Sequence, residues 1–93
     1  MKKDVYDVEL LRALASETRM SILLMLASAE DPISVSNLAA KAKISRPRAS
    51  QSLAILRRVG AIVVMRSGNE KLCSISSTLS QRIADMAGLF RKS

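Results

Sequence analysis

The sequence is poor in the residues that build metal centres, disulfides and catalytic acid–base pairs. It has no histidine and one cysteine, Cys73, so it cannot form an internal disulfide, which fits a reducing cytoplasm. It also lacks recognisably paired carboxylates and a glycine-rich phosphate loop, and we therefore expect no enzymatic activity. We expect no metal or other cofactor, because zinc and thiophilic metals need several converging histidine or cysteine donors.

Long apolar runs and aromatic residues are scarce as well. The longest strongly apolar run, residues 22–27, is far too short to cross a bilayer, and the first residues lack the apolar stretch of a signal peptide. These features favour a cytoplasmic protein with no membrane partner. With only two aromatic residues, Tyr6 and Phe90, the core is expected to be aliphatic, and residues 1–93 are expected to form one small domain.

Positive charge is concentrated in one third of the chain. The net charge is +7, from 15 basic and 8 acidic residues. The basic segment, residues 41–71, holds eight of the bases and a single acid, Glu70, whereas the bases and acids elsewhere cancel. Charge that serves only solubility need not be concentrated in one segment, whereas a surface that binds phosphates needs its cations close together. The distribution therefore indicates a nucleic-acid partner.

Residues 45–59, inside the basic segment, have the pattern of a helix with an apolar back and a polar front. Ser45 is a suitable N-cap, Pro47 is tolerated in the first turn, and Gly60 suits the left-handed residue that ends a helix. Apolar residues recur at helical spacing on one side, namely Ala49, Leu53, Leu56 and Val59. The other side carries long donors and short hydroxyls, namely Arg46, Arg48, Ser50, Gln51, Ser52, Arg57 and Arg58.

The polar front of this helix suits the major groove of DNA, where Arg and Gln read base edges and Ser and Arg hold phosphates. The competing interpretation is an ordinary solvated helix face, and the concentration of charge makes it the weaker one. The preceding sequence adds a second indication. Residues 36–43 have the pattern of a short helix and residues 43–45 that of a tight turn, so the spacing is that of a helix-turn-helix.

A β-hairpin is predicted directly after this helix. Two β-rich runs flank residues 67–70, whose composition is typical of a hairpin turn, and a hairpin in this position is a wing. Four side chains are expected to face the core, namely Ile62, Val64, Cys73 and Ile75. We expect Cys73 to be a small buried strand residue. The alternative is a redox switch, which would need a thiol with a lowered pKa and access to solvent.

The helix predicted from residue 16 is apolar almost all round, which indicates the central helix of the fold. Ser16 is its expected N-cap. Arg19 in its first turn has two interpretations, an ion pair with Glu17 or another acid, and a contact with the DNA backbone. We favour the ion pair.

Residues 14–75 resemble the winged-helix repressors of the ArsR/SmtB family. The matching stretches are ALASETRMSIL at 13–23, SVSNLA at 34–39, ISRPRASQSL at 44–53, then Leu56-Arg57 and Gly60 before the hairpin. They cover about two thirds of the chain and are specific in combination rather than singly. The resemblance implies a mainly α (α+β) winged helix-turn-helix fold with about five helices and a two-stranded wing. It also implies that residues 33–34 pair weakly with the wing.

The function that the resemblance implies is that of a homodimeric, sequence-specific DNA-binding protein of a prokaryotic, plasmid or viral system, usually a repressor released by a signal. Double-stranded DNA with a palindromic operator is the expected partner. Helix 45–59 is expected to read the major groove, and wing 62–76 to meet the backbone or the minor groove. We assign DNA contacts to Ser45, Arg46, Arg48, Ser50, Gln51, Ser52, Arg57, Arg66, Asn69 and Lys71.

The terminal helices form the dimer interface in the family that the chain resembles. Residues 5–15 and 78–91 both have amphipathic helical patterns. We assign the interface to Tyr6, Val8, Leu11, Leu79, Ile83, Met86 and Phe90. The alternative is that the stripe on the last helix only closes the core of one chain. Tyr6 is expected to pack there rather than to stack on a ligand.

The chain departs from the metal sensors of the family. Those proteins carry a Cys-x-Cys motif near residues 35–38, or histidine and carboxylate ligands on the last helix, where this chain offers Asp85 alone. A metal-sensing role is therefore not expected. Two other functions remain open. One is a non-regulatory DNA-binding protein, such as a partition or architectural factor, and the other is a winged helix for protein contacts, against which the basic segment argues.

Overall fold

Eight short elements make up residues 7–91, the range that the computed structural model describes, with side chains up to residue 86. They are α1 (Val8–Leu14), α2 (Glu17–Ser28), β1 (Ile33–Ser34), α3 (Val35–Ala42), α4 (Arg46–Arg58), β2 (Ile62–Ser67), β3 (Glu70–Ile75) and α5 (Leu79–Arg91). The predicted mainly α fold with five helices and a hairpin is confirmed. Within the described range, no helix is long and apolar enough to cross a membrane.

Polar side chains cap the first four helices. Oxygens of Asp7, Ser16, Ser34 and Ser45 each accept a hydrogen bond of 3.1–3.3 Å from the backbone N–H three residues further on. The N-caps predicted at Ser16 and Ser45 are confirmed. Because the caps of α3 and α4 fix where both helices begin, they also fix the length of the turn between them.

Two residues with left-handed backbone conformation end the helices of the helix-turn-helix. Lys43 ends α3 with φ 59°, and Gly60 follows α4 with φ 77°. After Gly60, the N–H of Ala61 donates back to the carbonyl of Leu56 at 2.9 Å, which closes the end of α4. The turn predicted at residues 43–45 and the role predicted for Gly60 are confirmed.

Replacing Gly60 with alanine should destabilise the fold more than the same change at Gly68. Both glycines have positive φ, which costs other residues roughly 1–2 kcal/mol. A Cβ on Gly60 would in addition lie 3.0 Å from Nη1 of Arg82, whereas a Cβ on Gly68 would meet nothing within 4 Å. Urea unfolding followed by circular dichroism measures both losses. Equal decreases in the free energy of unfolding would show that the Arg82 side chain moves away from the new Cβ at no energetic cost.

The wing belongs to a three-stranded antiparallel sheet of order β1-β3-β2. Its two-residue loop is Gly68-Asn69, and Gly68 has φ 63°, as the first central residue of a type II′ turn requires. Val64 of β2 and Ile33 of β1 both pair with Cys73 of β3. The predicted pairing of residues 33–34 with the wing is therefore confirmed. The predicted core-facing side of the hairpin is also confirmed, because all four residues assigned to it are buried or partly buried.

The core lies between the helix-turn-helix and the sheet, and α2 crosses it in contact with α1, α3, α4 and β3. The largest fully buried side chains are Leu10, Ile22, Leu38, Leu56 and Cys73. The central position predicted for α2 is confirmed, although the helix is not buried all round, since Leu24 is 62% exposed and Met20 38% exposed. Neighbouring elements cover only one side of α2, and apolar composition alone does not reveal how many neighbours a helix has.

Two arginines hold the terminal helices in place, one between α2 and α1 and the other between α5 and α1. Arg19 of α2 donates from Nε to the carbonyl of Ala13 at 2.6 Å, so it stabilises the end of α1. The predicted ion pair of Arg19 with Glu17 or another acid is wrong among the described residues, where the guanidinium donates to backbone carbonyls instead. Arg82 of α5 donates from Nε and Nη2 to one carboxylate oxygen of Asp7, at 3.0 and 2.5 Å, and thereby joins α5 to the start of α1.

The apolar stripe of α5 divides between the core and the surface. Leu79 and Met86 are only 6% and 7% exposed and belong to the core, whereas Ile83 is 42% exposed. The assignment of Leu79 and Met86 to a dimer interface is therefore wrong. They lie seven residues apart and thus within about 20° around the helix axis, while Ile83 is turned by about 40° from Leu79. Tyr6 and the side chain of Phe90 lie outside the described residues.

Candidate nucleic-acid interface

The front of α4 is exposed along most of its length. Five of the predicted contact residues lie there in solvent, namely Arg46, Arg48, Ser50, Gln51 and Arg57. Ser45 is exposed too, and its hydroxyl caps the helix. Ser52 is only 7% exposed, so its assignment to DNA is wrong. It follows Ala49 by three residues and precedes Leu56 by four, which places its small hydroxyl on the buried side of the helix.

The exposed residues divide the front of α4 into two flanks and a crest. Successive residues turn by about 100° around the helix axis, which puts Arg46 and Ser50 on the flank toward the wing. Arg48 lies on the opposite flank and donates from Nη2 to Oγ1 of Thr18 in the first turn of α2, at 3.0 Å. Gln51 lies on the crest between them, and Arg58 continues the crest seven residues further on.

A groove of about 420 Å³, which we call the wing groove, separates the first half of α4 from the tip of the wing. Arg46 and Ser50 line it from α4, and Arg66, Asn69 and Lys71 line it from the hairpin. Arg66 and Lys71 are cross-strand partners, so their side chains leave the sheet side by side. The structure thus brings five of the ten predicted DNA contacts to one groove.

The start of α3 forms the third wall of the wing groove, a role that its sequence pattern alone did not predict. Ser34 and Ser36 line it there, and Ser34 also caps α3 by accepting from the N–H of Asn37 at 3.1 Å. A capped helix start adds hydroxyls and backbone N–H groups near its positive end, which suit an anion. The sequence contains the cap signal, but only the pairing of β1 with β3 brings this end beside the wing.

The charges around the wing groove are mainly positive. Three cationic side chains, Arg46, Arg66 and Lys71, line it together with one carboxylate, Glu70. A concave surface with an excess of one charge attracts ions of the opposite sign. The groove is therefore suited to a phosphate backbone, since Arg and Lys supply the donors and the serines supply additional hydroxyls.

A smaller cavity of about 90 Å³ lies at the base of the wing, and Arg57, Lys71 and Cys73 are among the residues that line it. Cys73 is fully buried, and this burial raises the pKa of its thiol above the ordinary value, against the opposing effect of the Lys71 charge. A buried thiol with a raised pKa favours a packing role over a redox role. Among the described residues, no three His, Cys, Asp or Glu side chains cluster so as to hold a metal ion.

Known proteins resemble the chain in both sequence and structure. A sequence profile described as a helix-turn-helix domain matches residues 14–64. The transcriptional activator HlyU of Vibrio cholerae serotype O1 is 36% identical over 77 residues, which make up 83% of this chain and 69% of HlyU. A solved structure of HlyU from Vibrio cholerae is 30% identical and superposes with a TM-score of 0.76 over 100% of both chains.

A second solved structure is the winged helix-turn-helix domain of a possible ArsR-family transcriptional regulator from Mycobacterium bovis. It is 23% identical, and the superposition has a TM-score of 0.74 over 89% of this chain and 75% of that one. The chain belongs to the helix-turn-helix family that the matching sequence profile describes, and it has the winged-helix fold of the solved structures. It is accordingly a DNA-binding protein that regulates transcription.

The match to the helix-turn-helix profile covers only part of the candidate interface. Residues 14–64 include α2, α3, α4 and the first half of β2, and hence the whole helix-turn-helix. Arg66, Asn69 and Lys71 lie beyond it, so their place in the wing groove rests on the geometry of this chain. Thr18 lies inside the match and was not assigned to DNA binding, because nothing in its local sequence indicates a contact with a residue 30 positions away.

Proposed function

We propose that the protein binds double-stranded DNA sequence-specifically as a homodimer, with the crest of α4 in the major groove and the wing on the backbone or in the adjacent minor groove. The observation that carries the proposal is that α4 and the wing, which both belong to the basic segment, converge with the start of α3 on one groove. A recognition helix whose crest carries a glutamine, with cations on both flanks, presents base-reading and phosphate-binding groups at once.

The wing groove supports one particular orientation of α4 on the DNA. When the crest with Gln51 lies in the major groove, one phosphate backbone passes along the flank that carries Arg46 and Ser50. The hairpin then holds that backbone from its other side through Arg66 and Lys71. Phosphate contacts of this kind set the register and orientation of a protein on the duplex, whereas base contacts select the sequence.

We assign dimerisation to the exposed apolar residues of the two terminal helices. Val8 and Leu11 of α1 are 53% and 48% exposed and Ile83 of α5 is 42% exposed, although all three are large apolar side chains. The solved Mycobacterium bovis domain carries the description homodimeric. A two-fold dimer repeats each α4 about one axis, and a palindromic operator matches that symmetry.

Replacing Leu11 with glutamate is expected to convert the dimer into a monomer. A carboxylate buried at the proposed interface would be desolvated without a partner, which costs several kcal/mol, on the order of 3–5. Sedimentation equilibrium at micromolar concentration measures the mass, and wild type should give twice the 10.1 kDa of one chain. Leu24→Glu on α2 is the matched control and should stay dimeric. A wild-type monomer, or dissociation by Leu24→Glu alone, would contradict the assignment.

Arg66→Ala and Lys71→Ala are expected to flatten the salt dependence of DNA binding while sequence preference persists. Removing one phosphate contact lowers the slope of log K against log salt by about one, and thus by about two for a dimer. Lys41→Ala removes the same charge from α3 outside the wing groove and serves as the control. If it lowers the slope equally, net charge rather than the wing contact accounts for the effect.

Repression is the direction of control that we propose. A dimer that lies on promoter DNA excludes other proteins from it and needs no further surface, whereas activation needs a partner as well. The Vibrio cholerae relative is named a transcriptional activator. A reporter gene fused to a bound promoter therefore has to determine whether this protein represses or activates transcription. Rising expression on deletion of the protein supports repression, and falling expression contradicts it.

One experiment separates regulation from an architectural or partition role. Selection of duplexes from a random library gives the preferred sequence, here called the selected duplex, and a genome-wide map of bound sites follows in the source organism. Isolated sites at promoters support the proposed function. A clustered array or broad coverage would contradict it and favour the architectural alternative, which uses the same fold.

A further inference from the structure

The hydrogen bond between Arg48 and Thr18 joins two rigid parts of the fold. Thr18 lies in the first turn of α2, whose start Ser16 caps, and Arg48 lies in the first turn of α4, whose start Ser45 caps. Both helices pack into the same core. The distance of 3.0 Å between Nη2 and Oγ1 therefore follows from the positions of two anchored helices and not from two loops that happen to meet.

The contact holds an arginine that is otherwise exposed. Arg48 belongs to the exposed residues of α4, whereas Thr18 is partly buried and β-branched, so the threonine has few rotamers. A long side chain in solvent loses rotamer freedom when it binds, and a side chain that is already held loses less. Thr18 thus lowers the cost of placing the Arg48 guanidinium on the flank toward α2.

The geometry of the guanidinium leaves Arg48 able to read a base while Thr18 holds it. Nη2 carries two hydrogens, and each belongs to a different bidentate edge of the group, one shared with Nε and the other with Nη1. A single bond to Oγ1 of Thr18 occupies one edge. The other edge keeps two parallel N–H donors, which is the arrangement that recognises O6 and N7 of guanine.

We propose that Thr18 is a positioning residue for sequence reading, which holds the guanidinium of Arg48 so that its remaining edge meets a guanine in the major groove. The inference rests on the proposed function of α4 as the sequence reader. Thr18 acts through Arg48 and needs no contact with DNA. It extends the recognition apparatus to α2, which otherwise belongs to the scaffold.

The test compares Thr18→Val with Thr18→Ser in titrations of the selected duplex and a scrambled duplex. Valine keeps the branched shape and removes the acceptor, while serine keeps the acceptor. We expect Thr18→Val to weaken binding to the selected duplex by about three- to tenfold for each copy of Arg48, the cost of ordering one free arginine, with little change on the scrambled duplex. Thr18→Ser should restore most of the preference.

Coupling to Arg48 distinguishes a positioning role from a merely structural one. In an Arg48→Ala background, Thr18→Val should have no further effect on the ratio of the two affinities. Repeating the library selection should show that Thr18→Val and Arg48→Ala relax the same base pair. Ser21→Ala removes a hydroxyl one turn further along α2 and controls for general effects, and thermal unfolding checks that every variant is folded.

Two different failures are distinguishable. If Arg48→Ala lowers the ratio of the affinities for the selected and scrambled duplexes and Thr18→Val does not, Arg48 reads a base without help from Thr18. That result overturns the inference but leaves the proposed function of α4 intact. If Arg48→Ala leaves the ratio unchanged, the reading role of Arg48 fails, and the inference fails with it. An effect of Thr18→Val that persists in the Arg48→Ala background would also overturn it, because the effect would then not pass through Arg48.

Discussion

Gln51→Ala and Arg48→Ala are expected to narrow the gap in affinity between the selected duplex and a scrambled one by about 1–3 kcal/mol for each base-reading side chain that is removed. Both residues lie in the half of α4 nearest its N-terminus, the part of a recognition helix that contacts base edges. Each chain of a dimer contributes one copy, so the effect on a palindromic duplex should be about 2–6 kcal/mol. Fluorescence titrations of both duplexes at several salt concentrations measure it.

The matched control for Arg48 is Arg12→Ala. Arg12 is exposed on α1, outside the basic segment, and its replacement removes the same charge without touching α4. It should leave the affinity gap unchanged. If Gln51→Ala and Arg48→Ala weaken both duplexes equally, α4 does not read sequence, and the architectural alternative becomes the better account of the basic surface.

Leu56→Ala is expected to lower the free energy of unfolding by about 2–5 kcal/mol. The side chain is fully buried on the inner side of α4, and truncation would leave a cavity beneath the recognition helix. A domain of this size has little stability to lose, so the variant should be largely unfolded at physiological temperature. Urea unfolding followed by circular dichroism measures the decrease, and DNA binding should fall with the folded fraction.

Leu24→Ala makes the same chemical change at an exposed position. Leu24 is 62% exposed on the outer side of α2, and substitutions at such sites usually alter stability by less than about 0.5 kcal/mol. The contrast with Leu56 tests whether neighbours cover α2 on one side only. A decrease in stability at Leu24 as large as that at Leu56 would mean that the outer side of α2 is covered in the protein in solution.

Local signals in the sequence were sufficient to predict most of the elements. Ser45, Pro47 and Gly60 delimit α4, because caps and left-handed ends depend on residues within one or two turns. The hairpin was predictable for the same reason, since Gly68 and alternating apolar residues fix both its turn and its inward side. The distribution of charge indicated the candidate interface, because phosphate binding requires cations whatever the details of the fold.

The wrong predictions share a different physical cause. Ser52 was placed on the front because it is polar, yet helical spacing puts it beside Leu56 on the buried side. Leu79 and Met86 formed a convincing surface stripe, but periodicity shows only that a face is apolar and not whether the same chain or a second copy covers it. The contact between Thr18 and Arg48 depends on how two helices pack, which no local pattern contains.

The position of Cys73 gives the protein a built-in probe of how often the core-facing side of its sheet becomes exposed. The sulfur lies on the middle strand, between Ile33 and Val64, and is sealed from solvent. A thiol reagent can therefore react only during excursions that expose the core-facing side of β3 to solvent. Because the chain has no second cysteine, the labelling rate of the native sequence reports those excursions alone. If DNA clamps the hairpin against its backbone, that rate will slow as duplex is added, and the slowing will measure how firmly the wing is held.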